Sequence, residues 1–148
     1  MPLIVRLVLF GLGALGALVA IVAAIGSRLP RDHVASRTAT FRARPETVFP
    51  LLAGLEIGRR DDVPIAIVEA RPPEHLVTRI ADPNLPFGGT WTFALSPVDG
   101  GTRLTITERG YVTNPIFRFV SRVVLGHEAT MAAYVRELAA RLGDAPPS

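Results

Sequence analysis

The residues that could do chemistry in this chain are few and far apart. His33, His75 and His127 fall on different segments, with no H-x-x-x-H pair and no acid-rich run beside them. No metal site is expected, because a metal needs three or four donors converging from such spacings. There is no cysteine, which removes thiol nucleophiles, disulfides and Cys-ligated metals. The serines lack the G-x-S-x-G context of a nucleophile elbow. Gly11, Gly13 and Gly16 spell G-x-G-x-x-G. A dinucleotide site also needs an amphipathic helix after the glycines and an acid after a second strand. The following ALVAIVAAI has no polar face, and Asp32 follows Ser27-Arg-Leu-Pro30, so no cofactor is expected.

Two ionisable residues stand out by position. His127 falls in an apolar helical stripe, where it reads as a hydrogen-bonded core residue, a polar anchor in a pocket, or an acid/base. Glu108 falls opposite Trp91 on the apolar face of a hairpin, either partly exposed at a strand end or in a cleft. Trp91, Phe93, Ile106, Met131 and Tyr134 complete the candidate ligand-binding set. They line a pocket if one exists and are core otherwise.

The elements that must position these residues follow from patterning. Leu7 to Gly26 runs 20 positions without a charged or strongly polar side chain. At helical rise this covers roughly 30 Å, the thickness of a hydrocarbon core. It is expected to be a single-pass membrane anchor. A cleaved signal peptide is the rival, with Ala24-Ile-Gly26 as a weak cleavage site. Gly16, Ala20 and Ala24 form a small-residue stripe that would let the helix self-associate. Arg28, Arg31 and Arg37 outweigh Arg6 and the amino terminus, which predicts a cytoplasmic domain. Residues 1–28 are thus expected as the anchor, 29–142 as one globular domain and 143–148 as a disordered tail.

All 16 basic residues are Arg, dispersed without a basic run, and the formal charge is +3. No nucleic-acid motif appears, so nucleic acid is not an expected partner. In the domain, HVASRTATF (33–41) alternates as a strand. Arg44-Pro-Glu46 opens a helix to about Leu55, with Val48, Leu51, Leu52 and Leu55 on one face. Pro50 is expected to bend or shorten it, and Glu56–Asp62 to be a polar loop. Strands are expected over 63–70, 75–81, 89–96 and 102–112.

A two-residue turn at Asp99-Gly100 pairs Leu95 with Leu104, Phe93 with Ile106 and Trp91 with Glu108. That register sorts apolar and polar side chains onto opposite faces. Asn114-Pro115 then opens a helix to about Leu142. Its stripe is Ile116, Val120, Val123, His127, Met131, Tyr134, Leu138 and Leu142, interrupted at Gly126. Arg118 and Arg122, beside Phe117 and Phe119, are expected either at an anionic membrane surface or on a solvated helix edge. The order predicts an α+β fold: an antiparallel sheet of about five strands over a long C-terminal helix, preceded by one transmembrane helix.

ARPPEHLVTR (70–79), FGGTWTF (87–93), GGTRLTIT (100–107) and the terminal helix together resemble the SRPBCC superfamily. These START-like helix-grip domains include proteins labelled polyketide cyclase/dehydrase and lipid transport. The resemblance spans about residues 33–142. It implies a curved sheet gripping the C-terminal helix around a hydrophobic small molecule or lipid. The first expectation is therefore a membrane-anchored, non-enzymatic binding domain. The alternatives are a cyclase/dehydrase-type enzyme using His127 and Glu108, and a degenerate grip serving as an interaction module. Relatives usually carry a further short helix and two strands where this chain has only residues 56–62. The shortening predicts an open grip with a small or absent cavity.

Overall fold

A computed structural model describes residues 2–58, 63–125 and 128–145. The elements in chain order are α1 (Leu3–Arg28), β1 (Asp32–Phe41), α2 (Pro45–Gly58), β2 (Ile65–Arg71), β3 (His75–Ile80), β4 (Phe87–Val98), β5 (Gly101–Val112), α3 (Pro115–Phe119), a π-helical turn (Val120–Leu125) and α4 (Glu128–Leu142). The strands form one antiparallel sheet in the order β1-β5-β4-β3-β2. The β4–β5 hairpin has the expected register, with Leu95 opposite Leu104, Phe93 opposite Ile106 and Trp91 opposite Glu108. Its turn relies on Gly100, whose φ of 81° is unfavourable for a side-chain-bearing residue.

Alternation puts one face of each strand inward. Phe41, Leu76, Phe93, Leu95, Leu104 and Ile106 bury there against Val48, Leu52 and Leu55 of α2 and Met131, Tyr134, Val135 and Leu138 of α4. Each fully buried aliphatic or aromatic side chain contributes about 1.5–3 kcal/mol of hydrophobic stabilisation. The outward face carries Ser36, Thr38, Thr105 and Thr107 in cross-strand hydroxyl contacts.

Two helical boundaries differ from the sequence reading. The α2 helix runs through Pro50 and past Leu55 to Gly58. Pro50 points outward, and the extra turn carries Glu56 inside, where only 3% of it is exposed. The single C-terminal helix expected from Pro115 is divided. Asn114 caps α3 as expected, accepting from Phe117 N–H, with Pro115 in the first turn. The chain then widens into the π turn before α4 begins. The stripe divides with it: Met131, Tyr134 and Leu138 are buried, whereas Ile116 and Val123 are exposed. The reason is that α3 packs against the end of α1 rather than under the sheet. The i→i+5 spacing of the π turn widens the helix by a residue and so shifts the phase of the stripe between its two packing partners.

The α1 helix is, among the described residues, the one helix long and apolar enough to cross a membrane, or to serve as a signal sequence. None of its apolar window is covered by the rest of the protein. Its last turn, in contrast, is built into the domain. Gly26 is buried, and a Cβ there would run into the Pro115 carbonyl, so only glycine allows α3 this close. Arg118, expected at a lipid surface or a solvated edge, is 4% exposed. Its guanidinium donates to the carbonyls of Gly26 and Leu29 at the end of α1 and of Val112 and Thr113 after β5, at 2.9–3.0 Å. Carbonyls at a helix C-terminus carry the negative end of the helix dipole, so a cation there is favourable.

Candidate functional site

The inner face of the sheet changes character along the strands. Toward the β4–β5 turn, successive cross-strand rows are Ala39, Leu104 and Leu95, then Arg37, Ile106, Phe93 and Leu76. The next row toward α1 is Ala35, Glu108, Trp91 and Thr78. After it come His33, Gly110 and Gly89. Glu108, Thr78 and His33 bring polar groups to the last two rows, and the last row reduces β4 and β5 to glycine. Gly110 has the His33 ring directly over it, and Gly89 has a φ of 148° that favours glycine. The missing volume is a cavity of about 570 Å³. Ile65, Ile80, Phe87 and Trp91 supply apolar walls, Gly88 and Gly89 a backbone floor, and Glu56 and Glu108 the acids. Thr130, in the first turn of α4, closes one side.

The polar groups are held in place. Thr78 Oγ1 donates to Glu56 Oε2 at 2.8 Å, a buried contact between α2 and β3. His33 Nε2 lies 3.5 Å from Glu108 Oε1, across β1 and β5. The Trp91 ring meets Tyr134 edge-on at 5.7 Å and Phe93 at 5.9 Å. The Tyr134 hydroxyl in turn donates to the Leu52 carbonyl, tying α4 to α2. The wall nearest α1 is set by Phe87, whose ring stacks on Phe117 of α3 at 5.4 Å. The site therefore combines apolar walls with two positioned carboxyl groups, and Arg79 is also part of its lining. Such an arrangement suits a mostly apolar molecule carrying a hydrogen-bond donor.

Of the sequence-derived candidates, Trp91 and Glu108 line this cavity. Phe93, Ile106, Met131 and Tyr134 are almost fully buried and form the solid core behind it. His127 lies outside the described residues. The imidazole that stands beside Glu108 is that of His33. The sequence pattern hides Glu56, because the polar run 56–62 reads as a loop. Its signal was present, since Glu56 falls four residues after Leu52 and extends the Val48–Leu52–Leu55 stripe. Among the described residues, no group of three or more His, Asp or Glu side chains gathers to hold a metal.

No protein-family model matches this sequence, and no curated protein matches it. Solved structures do. The Mll3558 protein from Rhizobium loti superposes with a TM-score of 0.57 at 20% identity, covering 74% of this chain and 96% of that one. The MLL2253 protein from Mesorhizobium loti gives 0.55 at 15% identity, over 74% and 96% of the two chains. The protein in the solution structure of the Aha1 dimer from Colwellia psychrerythraea gives 0.53 at 16%, over 77% and 96%. At these identities the likeness shows the fold. The chain has a helix-grip-like α+β fold with a five-stranded antiparallel sheet.

Proposed function

We propose that this chain is a membrane-anchored helix-grip domain, of SRPBCC type, that binds a hydrophobic small molecule or lipid without transforming it. One observation carries the reading: the cavity at the α1 end of the sheet has a size within the range of small-molecule sites. A lost core side chain leaves a far smaller void, because the cost of an unfilled space rises with its volume. Glu56 and Glu108 offer oxygen acceptors to a hydroxyl or amine on such a ligand, with Arg79 in the same lining.

The anchor reading draws on the end of α1. Cleavage after Gly26 would sever the residue whose carbonyl Arg118 holds. A buried guanidinium stripped of an acceptor is costly. An anchored chain keeps that acceptor.

Trp91 is the single tryptophan and lines the cavity, so its emission reports occupancy directly. Purified full-length protein in detergent is titrated with a bromine-labelled fatty alcohol or fatty amine. Saturable quenching is expected, weakened by Ile65→Phe, which fills the apolar wall. Mass spectrometry of solvent extracts should recover a bound apolar molecule from the wild type. A linear, non-saturating response together with an empty extract would discard the binding function.

A further inference from the structure

We infer that α3 and the π turn form a second membrane contact, lying in the headgroup–acyl boundary beside α1 and holding the mouth of the cavity at the lipid surface. This rests on the reading of α1 as a membrane span. Leu7 to Gly26 covers roughly 30 Å, so Gly26 stands at one edge of the hydrocarbon core. Arg118 bonds that residue and Leu29, three positions on. Val22 and Ala23, one turn earlier, are half-buried, while residues 7–21 of the apolar run are exposed. The segment from Pro115 is therefore fixed at the depth where the core meets the headgroups.

What this segment shows to its surroundings matches that depth. Ile116, Phe117, Val123 and Val124 are exposed, the two valines at 61% and 66%. Ile21 and Ile25, in the α1 turns beside Gly26, are exposed as well, at 56% and 45%. Because α3 packs against α1, the apolar patch continues the surface of α1 instead of standing alone. Arg122 within the turn, Arg28 at the end of α1 and Arg31 after it are available to lipid phosphates. Arg118 itself does not need water, because four of its N–H···O contacts end on backbone carbonyls. Through the Phe117–Phe87 stack the segment borders the cavity wall. A ligand then passes between bilayer and cavity without crossing bulk water.

The absence of cysteine allows a direct test on the full chain. Single variants Leu15→Cys, Val124→Cys and Thr38→Cys are labelled with an environment-sensitive fluorophore. They are reconstituted in vesicles of phosphatidylcholine and phosphatidylglycerol containing nitroxide lipids with a deep or a shallow quencher. The Leu15 label should respond to the deep quencher and the Val124 label to the shallow one. Quenching at Val124 should be severalfold stronger than at Thr38, on the outer sheet face. Leu15 quenched with Val124 no more affected than Thr38 would overturn the second contact and leave the anchor standing. Leu15 unquenched would remove the anchor and this inference with it. Thr38 quenched as strongly as Val124 would mean that the domain lies flat on lipid by another surface, which also overturns the inference.

Discussion

In β3, Leu76 is sealed beneath α2 and α4, while Ile80 on the same face borders open space. In β5, Leu104 and Ile106 are fully buried, and Glu108 forms part of a cavity wall. The same strands serve both regions, and the same alternation points both sets of side chains inward. The difference lies in what covers them and in residue size. Leucine and phenylalanine rows fill the end beneath the two helices. The rows toward α1 descend through threonine and glutamate to paired glycines. A sheet can therefore carry a solid core and a receptive hollow on one face, divided by a single residue, Trp91, which touches both.

Substitutions across this divide should separate the regions. The largest effect is expected at Phe93→Ala, which empties a closed site and should cost about 3–5 kcal/mol in chemical denaturation. A loss below about 1 kcal/mol would mean that the closed half is loosely packed. Next is Arg118→Met, expected to destabilise by about 2–4 kcal/mol because it leaves several buried carbonyls without a donor. The same variant should free the domain to rotate on its anchor, read as lower fluorescence anisotropy of a labelled outer face in vesicles. Unchanged anisotropy would show that packing alone holds α1 and α3 together.

Within β3, Leu76→Ala should cost about 2–5 kcal/mol. Ile80→Ala merely enlarges an existing space and should cost about 1 kcal/mol. Equal losses for the pair would erase the distinction between the regions. The smallest stability effect is expected at Glu56→Gln, which keeps an acceptor for Thr78 and should stay within about 1 kcal/mol. Its consequence should appear in binding, as weaker quenching of Trp91 by a fatty amine than by the corresponding alcohol. An unaltered preference would take Glu56 out of ligand selection.

The legible parts of the sequence were those governed by local rules. Binary alternation and one glycine turn were enough for the β4–β5 register, because a one-residue slip would have exposed every inward side chain. The Asn114-Pro115 helix start was equally readable, since capping is decided within four residues. The division of the C-terminal helix was not. Ile116, Val123 and Met131 share one periodic stripe, and periodicity does not say that two different partners cover it. Arg118 illustrates the same limit, because its acceptors at Gly26 and Leu29 lie about ninety positions away. Trp91 and Glu108 were found as candidates because the hairpin sets them opposite each other. Glu56 was lost because a proline and a run of polar residues argued for an earlier helix end.

The strand order bears on the time course of folding. β2 to β5 form a meander in which each strand pairs with its neighbour in the chain, so its contacts are short in sequence. β1 pairs with β5 alone, and Ser36 bonds the Ile106 carbonyl across 70 positions. Closing such a long loop is slow relative to forming hairpins. β1 is thus expected to pair only after the meander is complete, and the Arg118 contacts to Gly26 and Leu29 are long in sequence for the same reason. The elements that precede the meander in the chain are in this way among the last to reach their final places.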